Sequence, residues 1–379
     1  MAQQRGRGNV KPAIGIAFEG DVGSRIDAVL AIAMLNGFSA KGEARRITLG
    51  IPRASLKAAQ LADVVSSFYS GRAIAGPGGG GVGGNPEGMI GMPEGKSFAD
   101  DAPLLSAALA KKFPDGSPAY TSSVTRVLDT ADNAVLIRNM LLAQVDGNAN
   151  IVVAGPLSNI DRLLNLYGAR PQIAAKVSLL VMAVGAFPGG PGGTVDPSIK
   201  ADVAAARKVL AGWPTPIVAV GTEVGEALPY PAASIEADFA WATNHPVIDA
   251  YRVFKSMPYD APASALAAML HAVHPDDAGF KRSEPGTITV LDDGRTQFTP
   301  GADGKHHYLI VDPAQKDRVI KLYRDMVSAQ PAPRPGRGGR GAAAAAAPDA
   351  AAQQQQQQQQ QRPAAPEPPK PAVPEPPDQ

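Results

Sequence analysis

The chain has 379 residues, of which 44% are hydrophobic, and its formal net charge at pH 7 is +1. Such a chain can bury one large core, and its weak net charge argues against nucleic acid or an acidic membrane surface as a partner. It contains no cysteine, which excludes disulfides and thiolate chemistry, so any metal ion would need oxygen or histidine ligands.

Both ends of the chain differ in composition from its middle. Residues 1–11 are polar and basic, and we expect a flexible arm there. Residues 329–379 consist of Pro, Ala, Gln and Arg-Gly runs that cannot bury a core, so we expect a disordered tail. The ordered part is then residues 12–328, one large domain.

The sequence contains no membrane-spanning segment. No apolar run approaches the ~20 residues that a membrane helix needs, so we expect a soluble protein. The start Ala2-Gln3-Gln4 would suit a mature exported protein whose signal peptide is absent from this chain. Whether the chain forms a homo-oligomer is left open.

The first structured stretch is a strand that leads through a tight turn into a helix. Residues 13–18 are an apolar run typical of a buried strand, and residues 19–23 are rich in Gly and acid. Apolar residues at helical spacing then predict a helix over 24–36, with Gly37 as its left-handed cap. Open α/β sheets bind their ligands at such strand ends, which makes the turn the candidate site.

Strand and helix patterns alternate along the rest of the chain. This alternation is typical of a Rossmann-like α/β fold, an open, mostly parallel sheet with helices on both faces. Strands are predicted at 46–50, 150–154, 177–184, 216–220 and 304–311, helices at 56–65, 103–112, 131–144, 262–275 and 313–328, and a hairpin at 283–296.

A glycine-rich stretch at residues 75–97 resembles a phosphate-binding loop at first sight. A phosphate loop follows a strand and opens a helix directly, whereas this stretch continues as Gly and Pro for many residues. We therefore predict a mobile surface loop, and its use as a lid is left open.

The stretch from Glu19 to Ala31 resembles the signature of the inosine-uridine preferring nucleoside hydrolases, which reads Asp-Thr-Asp-Ile-Gly-Ser-Asp-Ile-Asp-Asp-Ala-Leu-Ala in a common branch. Residues 154–160, 194–207 and 262–275 resemble further elements of this family in the same order. The resemblance extends over about residues 13–327 and implies hydrolysis of the N-glycosidic bond of ribonucleosides.

The resemblance also implies roles for individual residues. Asp21 corresponds to the acid that is both general base and calcium ligand, and Asp27 to the acid that binds the ribose hydroxyls. Ala154 corresponds to a residue whose backbone carbonyl binds calcium. Asp196 and Ser198 stand where the family has a Glu and an Asn that bind the sugar.

Several positions depart from the family pattern, and most of them concern calcium. The first acid of the signature is Glu19, a longer carboxylate that could still be a ligand. Two further expected acidic ligands are replaced by Ala28 and Ala265, and a substrate-binding Asn corresponds to Arg53. Because hard cations need several charged oxygens, we expect calcium to bind weakly or not at all.

Each candidate residue also has a purely structural interpretation. Asp21 could be an ordinary turn residue, but its place at a strand end favours a functional role. For Asp27 the two interpretations are equal, because Ser24-x-x-Asp27 also matches a helix capping box. His271 and His274 lie near the end of a predicted helix, where a structural role is favoured.

Three hypotheses for the function follow from the sequence. The first is a hydrolase of nucleosides or other small ribosides, in which Asp21 activates water. The second is a non-catalytic relative that binds a nucleoside, a sugar or a protein partner in the same crevice. The third makes the Pro-rich tail the working part, as a ligand for a partner domain.

Overall fold

The structure, a computed structural model, describes residues 12–69, 90–93, 102–188, 194–276 and 279–331, all within one compact unit. The predicted arm at 1–11, the predicted tail from residue 332 onward and most of the glycine-rich stretch lie outside the described residues. The hypothesis that the tail is the working part therefore stays a prediction.

The described strands form one mixed, mostly parallel sheet. They are β1 (Ile14–Gly20), β2 (Ala44–Gly50), β3 (Ile90–Met92), β4 (Ala131–Asp132), β5 (Ala149–Ala154), β6 (Val177–Met182), β7 (Ile217–Ala219), β8 (Phe280–Arg282), β9 (Gly286–Val290), β10 (Thr296–Pro300) and β11 (His306–Val311). Their order is β10-β9-β11-β7-β6-β5-β1-β2-β3-β4, with β8 also paired to β11. Every pairing from β4 across to β11 is parallel, whereas β8, β9 and β10 pair antiparallel.

Helices cover both faces of this sheet. They are α1 (Ile26–Ala40), α2 (Leu56–Tyr69), α3 (Pro103–Ala110), α4 (Asn133–Leu142), α5 (Ser158–Asn165), α6 (Ala169–Lys176), α7 (Pro197–Ala201), α8 (Val203–Gly212), α9 (Thr222–Ala227), α10 (Ala232–Ala237), α11 (Pro246–Phe254), α12 (Ser264–Val273) and α13 (Lys316–Val327). No described helix is both long and apolar enough to cross a membrane.

Strand β1 shows how the two layers arise. Its alternate side chains point to opposite faces, so Ile16 and Phe18 join the apolar core formed with α1, α2, α12 and α13. Ala17 between them joins a second core formed with α4, α5, α6 and α8. The predicted α/β sheet with helices on both faces is therefore confirmed.

The order in which the chain adds strands to the sheet reverses at β1. The chain adds β2, β3 and β4 on one side of this strand and then returns to add β5, β6 and β7 on the other. Gly20 at the end of β1 pairs with Ala154 at the end of β5. Such a switch point leaves a crevice outside the carboxyl ends of the strands, so Asp21 begins the turn at the place where open α/β sheets bind ligands.

Two predictions from glycine positions are wrong. Gly37 does not end α1, which continues to Ala40, and the left-handed residue is Gly42, with φ of +74°. A Cβ at Gly37 would lie 2.3 Å from the carbonyl oxygen of Met326, so Gly37 lets the end of α13 approach α1. Part of the predicted surface loop, Ile90–Met92, is the parallel strand β3.

We predict that Gly37→Ala destabilises the protein. Alanine gains up to about 1 kcal/mol in helix propensity, but overpacking against a backbone carbonyl costs about 1–3 kcal/mol or more, so the net effect is a loss. Urea unfolding measures the difference. Ser39→Ala on the same helix is the control and should change the free energy of unfolding by less than about 0.5 kcal/mol. An unchanged midpoint for Gly37→Ala would contradict the close approach of the two helices.

Candidate active site

A cleft of about 390 Å³ opens at the carboxyl ends of the parallel strands, within the size range of small-molecule sites. It is lined by Asp21, Ser24, Arg25, Ile26, Asp27, Arg53, Asp196, Pro197, Ser198, Thr222, Glu226, Phe254, Pro262 and Ser264. A smaller recess of about 250 Å³ shares Asp21, Ser24 and Arg53 with it. Four residues that were singled out from the sequence, Asp21, Asp27, Asp196 and Ser198, thus line one cleft.

Asp21 is held where β1 and β5 end. Its backbone N–H donates to the carbonyl oxygen of Ala154 at 2.9 Å, which extends the pairing of the two strands by one bond. Its Oδ2 accepts a hydrogen bond from Nε of Arg53 at 2.9 Å. A Cβ at Gly155 would lie 3.1 Å from Cβ of Asp21, so glycine gives this side chain its space. The carboxylate faces the cleft, with 7% of the side chain exposed.

Asp27 binds a neighbouring arginine instead of capping its own helix. Nε and Nη2 of Arg25 donate to Oδ1 and Oδ2 of Asp27 at 3.0 and 2.7 Å. The backbone N–H of Ala265 donates to Oδ2 at 2.9 Å. Of the two interpretations left open for Asp27, the capping box is not formed, because Arg25 is the N-cap of α1 and makes no side-chain cap.

Asp196 shapes the wall of the cleft through the backbone. It is the N-cap of α7, where Oδ1 accepts from the N–H groups of Ser198 and Ile199 at 2.7 and 3.1 Å. Its Oδ2 accepts from the N–H of Gly185 at 3.0 Å, so this carboxylate also holds the segment after β6. Ser198, the next candidate, is largely buried and lines the cleft beside it.

Glu19 lies inside the protein rather than in the cleft. Its side chain is fully buried, and its carboxylate oxygens accept hydrogen bonds from Nδ2 of Asn133 at 2.7 Å and of Asn159 at 3.2 Å. Burial raises the pKa of Glu19 to about 8, even though both amides lower it. The carboxyl group is therefore mostly neutral at pH 7.

The donor set does not fit the calcium ion that the resemblance implies. Ala28 and Ala265 are buried and carry no side-chain oxygen, and Glu19 faces two asparagine amides. One oxygen of Asp21 already accepts from Arg53. Among the described residues, no group of three or more His, Cys, Asp or Glu side chains is arranged to hold a metal ion. Hard cations prefer several carboxylate and carbonyl oxygens at one point, which these side chains do not supply.

The lining also includes residues that the sequence analysis did not single out, among them Arg25, Phe254 and Ser264. The sequence could have pointed to Arg25, because this basic residue stands where the family signature has an acid. The side chain of Phe254 is 41% exposed at the end of α11, an unusual position for a large apolar ring.

Neither histidine near the end of α12 lines the cleft. His271 is buried without a hydrogen-bond partner, and burial lowers its pKa to about 4, so it is neutral at pH 7. Nε2 of His274 lies 2.8 Å from Oε2 of Glu43, which lies in the turn between α1 and β2. The burial of His271 and the contact of His274 with Glu43 agree with the structural interpretation.

We predict that Glu19→Gln stabilises the protein progressively as the pH rises. The folded-state pKa of Glu19 is raised, so the contribution of this group to stability is fully present below pH 4.5 and falls by about 1.4 kcal/mol per pH unit up to about pH 8. Glutamine stays neutral, and its advantage should therefore grow between pH 5 and 8 in chemical unfolding experiments. Phe18→Leu in the same strand is the non-titrating control, and parallel pH curves for Glu19→Gln and wild type would contradict the burial of an acid here.

Comparison with known proteins finds matches among solved structures, whereas no family profile and no curated protein matches the sequence. A plant nucleoside hydrolase, PpNRh1, matches with a TM-score of 0.59 and 19% identity over 84% of this chain and 100% of that chain. A purine-preferring ribonucleoside hydrolase from Gardnerella vaginalis has a TM-score of 0.60 and 16% identity, over 83% and 98% of the two chains. The type III effector protein XopQ, solved with adenosine diphosphate ribose, has a TM-score of 0.56 and 13% identity, over 84% and 93%.

At these identities the likeness shows the fold. It agrees with the order of elements that the sequence motifs indicate, from the turn after β1 to the strand β11. The chain therefore has the nucleoside hydrolase fold.

Proposed function

We propose that this protein hydrolyses the N-glycosidic bond of small ribosyl compounds, with Asp21 as the general base. The observation that supports this function is the convergence of Asp21, Asp27 and Ser198 on one cleft of nucleoside size at the switch point of the sheet. Cleavage of such a bond passes through an oxocarbenium-like state, which a nearby carboxylate stabilises while it activates water.

The two oxygens of Asp21 have different surroundings. Oδ2 accepts from Arg53, whereas Oδ1 accepts no hydrogen bond from the described residues. In the proposed reaction Oδ1 takes a proton from the attacking water, and Arg53 keeps the carboxylate in one orientation. A base that is held in this way needs no reorientation during the reaction.

Three further lining residues can bind the sugar and the leaving base. Oδ1 of Asp27 accepts from Nε of Arg25 and has a lone pair left for a ribose hydroxyl, while the Ser198 hydroxyl can donate or accept. The half-exposed ring of Phe254 offers an apolar face on which a nucleobase can stack. Two of the matched proteins are nucleoside hydrolases and the third was solved with adenosine diphosphate ribose, and nucleosides and this ligand both contain a ribose.

A second candidate is binding of a riboside without hydrolysis. The observation that favours it is the pairing of Asp21 with Arg53, together with methyl groups at Ala28 and Ala265 where the family has acids. In this case the cleft keeps its shape and its sugar contacts but does not activate water.

We predict that the purified full-length protein releases base from inosine, uridine or a chromogenic riboside. Asp21→Asn should lower the rate by about 10²–10⁴-fold, the usual contribution of a general base. Asp238→Asn, which removes a similar aspartate that pairs with Arg324 and does not line the cleft, is the control and should retain activity.

Calorimetric titration of the same proteins separates the two candidates. Turnover that disappears in Asp21→Asn supports hydrolysis, and saturable binding without turnover supports the second candidate. The absence of both binding and turnover would contradict the assignment of this cleft to ribosides.

A further inference from the structure

Arg25 lies at the start of α1, and its guanidinium group is surrounded by oxygen atoms. Besides both carboxylate oxygens of Asp27, it binds the carbonyl oxygen of Ala183, to which Nη1 donates at 2.8 Å. Nη2 also donates to the hydroxyl of Ser264 at 2.8 Å. These acceptors come from α1, from the residue after β6 and from the first residue of α12, so one cation joins three elements that border the cleft.

Three aspartates of the cleft act electrostatically on the guanidinium of Arg25. Burial alone would lower the pKa of Arg25, but the charge and hydrogen bonds of Asp27, followed by the charges of Asp196 and Asp21, raise it above its ordinary value. Arg25 therefore binds Asp27 directly and lies close enough to Asp196 and Asp21 to feel their charge, although Asp21 also has its own partner in Arg53. Arginine keeps its positive charge at every physiological pH.

Both oxygens of Asp27 accept from Arg25, and Oδ2 is fully occupied by hydrogen-bond donors. Oδ2 accepts from Arg25, from the Ser264 hydroxyl at 3.5 Å and from the N–H of Ala265. A divalent ion placed against this carboxylate would meet the guanidinium and an N–H group, both of which carry positive charge toward it. Acquiring the ion would require Arg25 to leave.

We propose that Arg25, one of the two arginines that line this cleft, is its built-in cation beside Asp27, a positioning residue that holds Asp27 in place of a divalent ion, so that the cleft binds its ligand without metal. The statement about the ligand rests on the proposed function, whereas the statement about the cation does not. The class of ligand is a riboside whose vicinal hydroxyls bind a carboxylate that is fixed by a guanidinium.

Thermal unfolding of the full-length protein tests the cation without any ligand. The melting temperature of the wild type should be the same in EDTA and in millimolar calcium chloride. Arg25→Ala leaves Asp27 without its paired cation and removes a positive charge beside Asp21 and Asp196, so calcium should raise the melting temperature of this variant by about 2–4 °C. Arg324→Ala, which breaks another bidentate arginine–aspartate pair outside the cleft lining, is the matched control and should not respond.

A second measurement covers the case in which Arg25→Ala does not fold. Arg25→Lys keeps the charge but cannot bind both oxygens of Asp27 together with Ala183 and Ser264. Titration with inosine should give the wild type the same affinity in EDTA and in calcium, and Arg25→Lys an affinity about tenfold lower.

The outcomes separate this inference from the proposed function. A calcium-dependent melting temperature or affinity of the wild type would overturn the role of Arg25, as would Arg25 variants that match the wild type in both measurements. Failure of inosine to bind any variant, together with calcium rescue of Arg25→Ala, would support the built-in cation and contradict the riboside function.

Discussion

The bidentate ion pair between Arg25 and Asp27 is the interaction on which the cleft depends. The Asp27 side chain is only 6% exposed and lies in the same cleft as two further aspartates. A carboxylate in such a position without a partner costs several kcal/mol, because it loses water and gains like-charge repulsion. The guanidinium removes this penalty and also ties α1 to α12 and to the end of β6. One side chain therefore balances the charge of Asp27 and also joins the elements around it, while Arg53 balances Asp21.

The topology of the sheet determines where this pair lies. Because β1 has β2 on one side and β5 on the other, the turn after β1 opens into a crevice rather than onto a covered face. Asp21, Arg25 and Asp27 follow one another within that turn and the first turn of α1. The parallel strands bring Asp196 and Ser198 to the same edge, although they lie far along the chain.

The sequence predicted those features whose causes are local. Apolar runs identified β1, β5 and β6, and the family resemblance singled out Asp21, Asp27, Asp196 and Ser198, which line one cleft. β3 was missed because its three residues follow a long glycine-rich stretch and contain no apolar run. Gly37 was misassigned because a left-handed cap and a glycine at a helix crossing look alike in sequence.

The partners of charged groups could not be predicted, because they lie far away in the chain. The acceptors of Arg25 in Ala183 and Ser264 are 158 and 239 residues from it, and Glu19 finds Asn133 after 114 residues. Whether Glu19 faces the cleft or the interior depends on those contacts. The same contacts decide whether the residual acids can share a metal ion.

A crystal structure of the full-length protein grown in millimolar calcium tests the central claim most directly. The account predicts that the guanidinium of Arg25 bridges both oxygens of Asp27 at hydrogen-bonding distance, with no ion between Asp21 and Asp27. A calcium ion bound to these two aspartates, with Arg25 turned away, would contradict it.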